Sequence, residues 1–92
     1  MKVNFYANFR MLVGGKTVEP ALPEGGSVSQ LIDCLVEQFP ALKPKMLDEQ
    51  GSLARHIHIF INGLDATTLP DALQTQVSTS DKIDIFPPIA GG

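Results

Sequence analysis

Apolar residues fall at every second position from Val3, with Phe5, Ala7, Phe9 and Met11 in step and Asn4, Tyr6, Asn8 and Arg10 between them. A side-chain period of two marks a half-buried strand, so this stretch reads as a strand with its odd residues toward the core. Gly14-Gly15 can supply the positive φ of a two-residue turn, and Lys16 to Leu22 reads as a short return strand ended by prolines. The first fifth of the chain is thus expected to be a β-hairpin. The period then changes. Val28, Leu31, Ile32, Leu35, Val36 and Phe39 follow the i, i+3, i+4, i+7 spacing of one helix face. Ser27 and Gln30 stand at the spacing of a capping box, and Pro40 closes the segment, which predicts a helix over 28–39.

Residues 41–55 mix Pro44, Gly51 and charges without a period, so they read as a long connection with one helical turn near Pro44 to Leu47. Ile57, Ile59 and Ile61 alternate with His58, Phe60 and Asn62 in a third strand, and Asn62-Gly63 signals a tight turn. A short helical turn over Pro70 to Leu73 and a brief edge strand around Gln74 to Val77 are expected next. Ile83 and Ile85 alternate with Lys82, Asp84 and Phe86 in the last strand, which Pro87-Pro88 ends. One main helix is available to cover one face of a mixed sheet, which makes an α+β domain. A crossing from the hairpin through the helix would lay the last strand beside the first, the β-grasp arrangement.

Ninety-two residues suit one domain, 1–92, with 87–92 as an extended C-terminal tail. Seven Lys and Arg against ten Asp and Glu leave a net charge of −3, so the chain lacks the basic footprint that neutralises phosphates and nucleic acid is not an expected partner. Cys34 is the single cysteine; it cannot make an internal disulfide or a four-thiolate metal site, and a reducing cytoplasm fits it. No apolar run is long enough for a membrane span, and Met1-Lys2 leads into the alternating pattern without a signal-peptide core, so neither membrane contact nor processing at the start is expected.

The end of the chain carries the sharpest signal. After Phe86, the residues Pro87, Pro88, Ile89, Ala90, Gly91 and Gly92 shrink toward the terminus. Two prolines favour an extended backbone, and six residues at about 3.3 Å each reach roughly 20 Å. The last two positions have no Cβ, so such a tip could thread a channel closed to other residues while carrying a terminal carboxylate ionised at neutral pH.

The ending Phe-Pro-Pro-Ile-Ala-Gly-Gly after Asp81-Lys82-Ile83-Asp84-Ile85, together with the opening Phe5-Tyr6-Ala7-Asn8-Phe9-Arg10-Met11-Leu12-Val13-Gly14, resembles the ubiquitin-like sulfur carriers. The likeness spans the whole chain and is nearest to the small subunit of molybdopterin synthase, with the thiamine sulfur carrier more distant. The middle stretch Leu42 to Asp65, containing Arg55-His56-Ile57-His58-Ile59-Phe60-Ile61-Asn62-Gly63, is also similar to small archaeal ubiquitin-like modifiers and to the carrier of a bacterial cysteine pathway. The resemblance implies an ubiquitin-like β-grasp whose Gly92 carboxylate is adenylated by an E1-like enzyme and becomes a thiocarboxylate. Molybdopterin synthesis, with the large synthase subunit as acceptor, is the leading pathway. Conjugation of Gly92 to lysines of other proteins and sulfur supply to cysteine or thiamine synthesis are the alternatives. Gly91, Ala90, Pro88 and Pro87 would thread the partner's site, and the chain would act as a carrier, not an enzyme, binding no cofactor while its partner uses ATP. The free chain is expected to be monomeric.

Strand parity yields a second site. If odd residues face the helix, Tyr6, Phe60 and Phe86 share the opposite face on neighbouring strands, a patch suited to partner docking. Four other features carry little. Gly15-Lys16-Thr17 lacks the earlier glycine of a phosphate-binding loop, since Arg10 stands there. His56 and His58 lie two apart on one expected strand face without a third ligand, so no metal is expected. Asp81 and Asp84 read as solvated charges available for steering, and Cys34 as a small, partly buried hydrophobe.

Overall fold

The computed structural model describes residues 1–88. Its elements are β1 (Lys2–Phe5), α1 (Phe9–Val13), β2 (Thr17–Val18), α2 (Val28–Gln38), α3 (Lys43–Met46), β3 (His58–Ile61), β4 (Leu64–Asp65) and β5 (Lys82–Phe86). The five strands form one sheet in the order β2-β1-β5-β3-β4. β1 lies antiparallel to β2 and parallel to β5, and β5 lies antiparallel to β3. First and last strands are therefore central neighbours, and the fold is the β-grasp expected from the order of elements.

The odd positions of the three inner strands build the core. Val3, Phe5, Ile59, Ile61, Ile83 and Ile85 are buried together with Val28, Leu31, Ile32 and Leu35 of α2. Each such side chain removed from water is worth about 1.5–3 kcal/mol, which is why the apolar stripe and not intrinsic propensity fixes α2 on the sheet. The capping box forms: the Gln30 N–H donates to Ser27 Oγ at 3.2 Å and the Ser27 N–H to Gln30 Oε1 at 2.9 Å. The helix ends at Gln38 with Phe39 as its C-cap, one residue short of the predicted 39.

The first strand is shorter than its alternation suggests. It stops at Phe5, the chain turns at Ala7 (φ 53), and residues 9–13 wind into α1. Phe9 and Val13 are both buried, so two apolar residues that satisfy period two also satisfy the i, i+4 spacing of a helix, while Met11 is left 84% exposed. Gly14-Gly15 is accordingly a helix stop instead of a hairpin turn: Gly14 takes φ 77 and the Gly15 N–H donates to Arg10 O at 3.0 Å. The return strand shrinks from Lys16–Leu22 to Thr17–Val18.

The long connection is more regular than expected. A 3-10 turn at Pro40–Leu42 runs into α3, and Leu42 and Met46 are fully buried. Asn62 (φ 52) and Gly63 (φ 83) make the tight turn that joins β3 to β4. The edge strand is thus β4 and not residues 74–77. Gln76 instead bridges Ser27, and the Val77 N–H donates to Gly26 O at 2.9 Å, so that segment lines the start of α2. The late helical turn falls at Ala72–Gln74, two residues beyond its expected start. Among the described residues no helix is long and apolar enough to cross a membrane.

Candidate functional site

Because odd residues of β1, β3 and β5 point to the helix, even residues line the other face of the sheet. Register sets them in rows: Asn4 stands beside Asp84, which stands beside Phe60, which pairs with Asp65; one row on, His58 pairs with Phe86. Tyr6 follows the end of β1 and reaches the same corner. The three rings named from parity meet there. Tyr6 stacks on Phe86 with centroids 4.2 Å apart and planes 12° from parallel, and Phe60 meets Phe86 edge-on at 5.5 Å and 88°. All three are half-buried. Offset and edge-to-face pairs of this kind add about 0.5–1.5 kcal/mol each beyond area burial.

Charged residues frame the rings. Arg10, brought round by α1, donates from Nε to Phe5 O at 2.9 Å and holds its guanidinium carbon 5.3 Å from the Tyr6 ring centroid, within cation–π range. On the far side, His58 Nδ1 lies 3.7 Å from Asp65 Oδ2. The Thr67 hydroxyl and N–H donate to the other oxygen of Asp65 at 2.7 and 2.9 Å, and these bonds, with His58, hold the Asp65 carboxyl below the usual carboxylate range.

Asp81 and Asp84 are structural, not the solvated charges that their sequence positions suggested. Asp84 is only 7% exposed and accepts the Tyr6 hydroxyl at 2.7 Å and the Asn4 amide at 3.1 Å on one oxygen. That bond, burial and the nearby negative charge together raise the Tyr6 pKa above its ordinary value, against a smaller lowering by Arg10. Asp81 accepts the Ser78 N–H at 2.8 Å and the Asn62 amide at 2.9 Å, which lowers its pKa and ties the β3–β4 turn to the start of β5. The sequence reading gives Asn4 and Arg10 no role and takes Asp84 as a solvated charge; strand parity with β1 laid beside β5 places Asn4, Tyr6 and Asp84 on one face as two donors and one acceptor.

Of the tail residues, Pro87 is buried and Pro88 exposed, so the body of the protein holds one residue more than the sequence assigned to it. Ala90, Gly91 and Gly92 lie outside the described residues. His56 and His58 do not share a strand: His56 precedes β3 with φ 71, and no cluster of metal-ligating side chains occurs among the described residues. Cys34 is half-buried on α2.

The model of the ThiS family matches residues 3–92. Small archaeal modifier protein 1 of Haloferax volcanii is 29% identical over 92 residues, covering 100% of both chains. Its crystal structure superposes with a TM-score of 0.87 over 100% of this chain and 98% of that one. A chain of the BexX/CysO complex of Amycolatopsis orientalis is 28% identical with a TM-score of 0.79, covering 99% of this chain and 98% of its own. A proposed subunit 1 of a molybdopterin converting factor from Pyrococcus furiosus is 27% identical with a TM-score of 0.73, over 96% of this chain and 95% of that one.

Proposed function

Since the chain belongs to the ThiS family, we propose that it is an ubiquitin-like carrier whose Gly92 carboxylate attacks the α-phosphorus of ATP on an E1-like enzyme, releasing pyrophosphate. Sulfide-level sulfur, as hydrosulfide from a donor, then attacks the acyl carbon and loses its proton, AMP leaves, and Gly92 carries a thiocarboxylate to an acceptor enzyme. This chain supplies the arm and the reactive end; the ATP site and the acid–base groups belong to the partners. Holding the nucleophile on an arm inside the acceptor's site turns a bimolecular encounter into a local one. Molybdopterin synthesis is the pathway proposed, with the large synthase subunit as acceptor, in line with the likeness to the Pyrococcus furiosus protein.

One observation supports the docking half of this reading. Phe86 is both the middle ring of the cluster and the last residue of β5. A partner seated on the rings therefore has Gly92 six residues away, within about 20 Å at full extension. The likeness to an archaeal modifier favours a second reading, in which the same adenylate is attacked by a lysine of another protein and Gly92 ends in an isopeptide bond. The likeness to a chain of the CysO complex favours a third, sulfur supply to cysteine synthesis.

Intact mass of the protein isolated from its own cells separates the two sulfur-carrier readings from the modifier. Replacement of one oxygen by sulfur at the terminus marks the carrier, and ladders of conjugates mark the modifier. Deleting Gly91-Gly92 abolishes both, whereas a plain binding module keeps its function after the deletion.

A further inference from the structure

Asp84 is out of place on the uncovered face of a sheet. A carboxylate there would ordinarily keep its water, and its burial is unfavourable unless charge and lone pairs are matched. Here they are matched from three sides. The Tyr6 hydroxyl and Asn4 Nδ2 donate to Oδ1, and Lys82 Nζ lies 3.8 Å from Oδ2. Asn4 is itself oriented by Thr17, whose hydroxyl donates to Asn4 Oδ1 at 2.8 Å. Three strands thus contribute to one acceptor, where an apolar residue would have served stability alone at least as well.

What the assembly fixes is a ring. Tyr6 lies just past the end of β1, where the backbone turns away at Ala7, so strand pairing does not set its side chain. Its hydroxyl is anchored on Asp84 while its ring lies flat on Phe86 and beneath Arg10. We propose that Asp84 is a positioning residue for partner docking: by accepting the Tyr6 hydroxyl it assembles the aromatic platform before the partner arrives. This rests on the docking role given above to Tyr6, Phe60 and Phe86. With the hydroxyl committed to Asp84 the phenol is no donor to a partner, so the partner group that fits the exposed parts of the rings is an apolar side chain, seated beside the Arg10 guanidinium.

Tyr6 is the single tyrosine in a chain without tryptophan, so its alkaline absorbance titration reports this contact alone. Asp84→Ala lowers the tyrosinate midpoint toward the ordinary value. It also raises the KM for this chain in ATP-dependent activation by its E1-like enzyme by about two- to tenfold, the range expected when one side chain must be ordered on binding. The kcat holds, because Gly92 and its arm are untouched. Tyr6→Phe, which keeps the ring and cuts the anchor, raises KM in the same way, and Asp84→Asn, whose amide oxygen still accepts, restores most of it. Unchanged KM in folded Asp84→Ala and Tyr6→Phe, alongside a raised KM in Phe60→Ala, overturns the positioning role and leaves docking intact. Unchanged KM in all three overturns the docking face itself.

Discussion

Phe60→Ala tests the docking face with the least disturbance of the fold. Phe60 is half-buried, touches Phe86 edge-on, and has the His58 ring 6.3 Å away. Its removal from the free chain forfeits one aromatic pair, about 0.5–1.5 kcal/mol, and about half of a buried side chain's transfer energy, about 1 kcal/mol. The sum of ~2 kcal/mol leaves a domain of ordinary stability folded, since such domains hold about 5–15 kcal/mol. Aspartate would be a poorer probe. Register places residue 60 between Asp84 on β5 and Asp65 on β4, so a new carboxylate would stand in a row with two others and repulsion would confuse docking with folding. In the complex, truncating a central aromatic anchor costs about 2 kcal/mol or more, roughly 30-fold in affinity. The assay is ATP–pyrophosphate exchange by the E1-like enzyme as a function of carrier concentration, with circular dichroism as the check on folding. A large rise in KM with kcat retained is expected. A folded Phe60→Ala chain with wild-type KM refutes the argument, because the ring then faces no partner during activation.

Four further outcomes are expected. Removing Ala90 shortens the arm by about 3.3 Å while leaving every ring in place, so sulfur transfer should lose kcat and keep KM; a change in KM alone would place the arm's role in binding. Ser27→Ala dissolves the capping box and should lower stability by about 1 kcal/mol, seen as a lower urea midpoint with an unchanged slope. Gly14→Ala has open space for its Cβ but must hold φ near 77, so the cost is backbone alone, about 1–2 kcal/mol. Asp65 and Asp81 have folded-state pKa values below their unfolded ones. Their contribution is complete above the unfolded carboxylate pKa near 4 and is lost as pH falls through the folded values, so stability declines on the acid side of about pH 4. Asp81→Asn should flatten part of that decline in acid unfolding curves.

Sequence alone carries most of the framework, and where it fails the cause is physical. The parity of β3 and β5 and the capping box of α2 are legible because each is written in several residues at once. Residues 7–13 are misread because Phe9 and Val13 fit two periods equally, and only the burial of Val13 against the exposure of Met11 separates them. β4 is two residues long, too short for any period to show, and it exists because Asn62-Gly63 folds Leu64 and Asp65 back onto β3. The aromatic corner is legible from alternation plus the β-grasp order. The anchor beneath it is not, since Asp84 looks like any charged residue in an alternating strand until β1 is laid parallel beside β5 and brings Asn4 and Tyr6 to it.

The placement of the rings and the arm on one strand has a mechanical consequence. β5 is paired on both sides, with β1 over Lys2 to Phe5 and with β3 over His58 to Ile61. It is the best held strand in the sheet, and Ile83 and Ile85 anchor its other face in the core. A tail leaving an edge strand such as β2 or β4 would start from a point that frays with only one ladder behind it. Leaving from β5, the arm starts from a fixed origin, and the ring that a partner would grip, Phe86, ends that strand with only the buried Pro87 between it and the arm. Docking error and reach would then be set by the same few atoms, and since Pro87 is buried with the body, the five residues from Pro88 to Gly92 are the span whose length determines where the terminal carboxylate arrives. Reactions that depend on placement within about an ångström reward such an origin. On the proposed docking role, the same logic accounts for a polar residue in the middle of the face: Asp84 lies on β5 itself, so the group proposed to aim Tyr6 is referenced to the strand from which the chain runs on to Gly92.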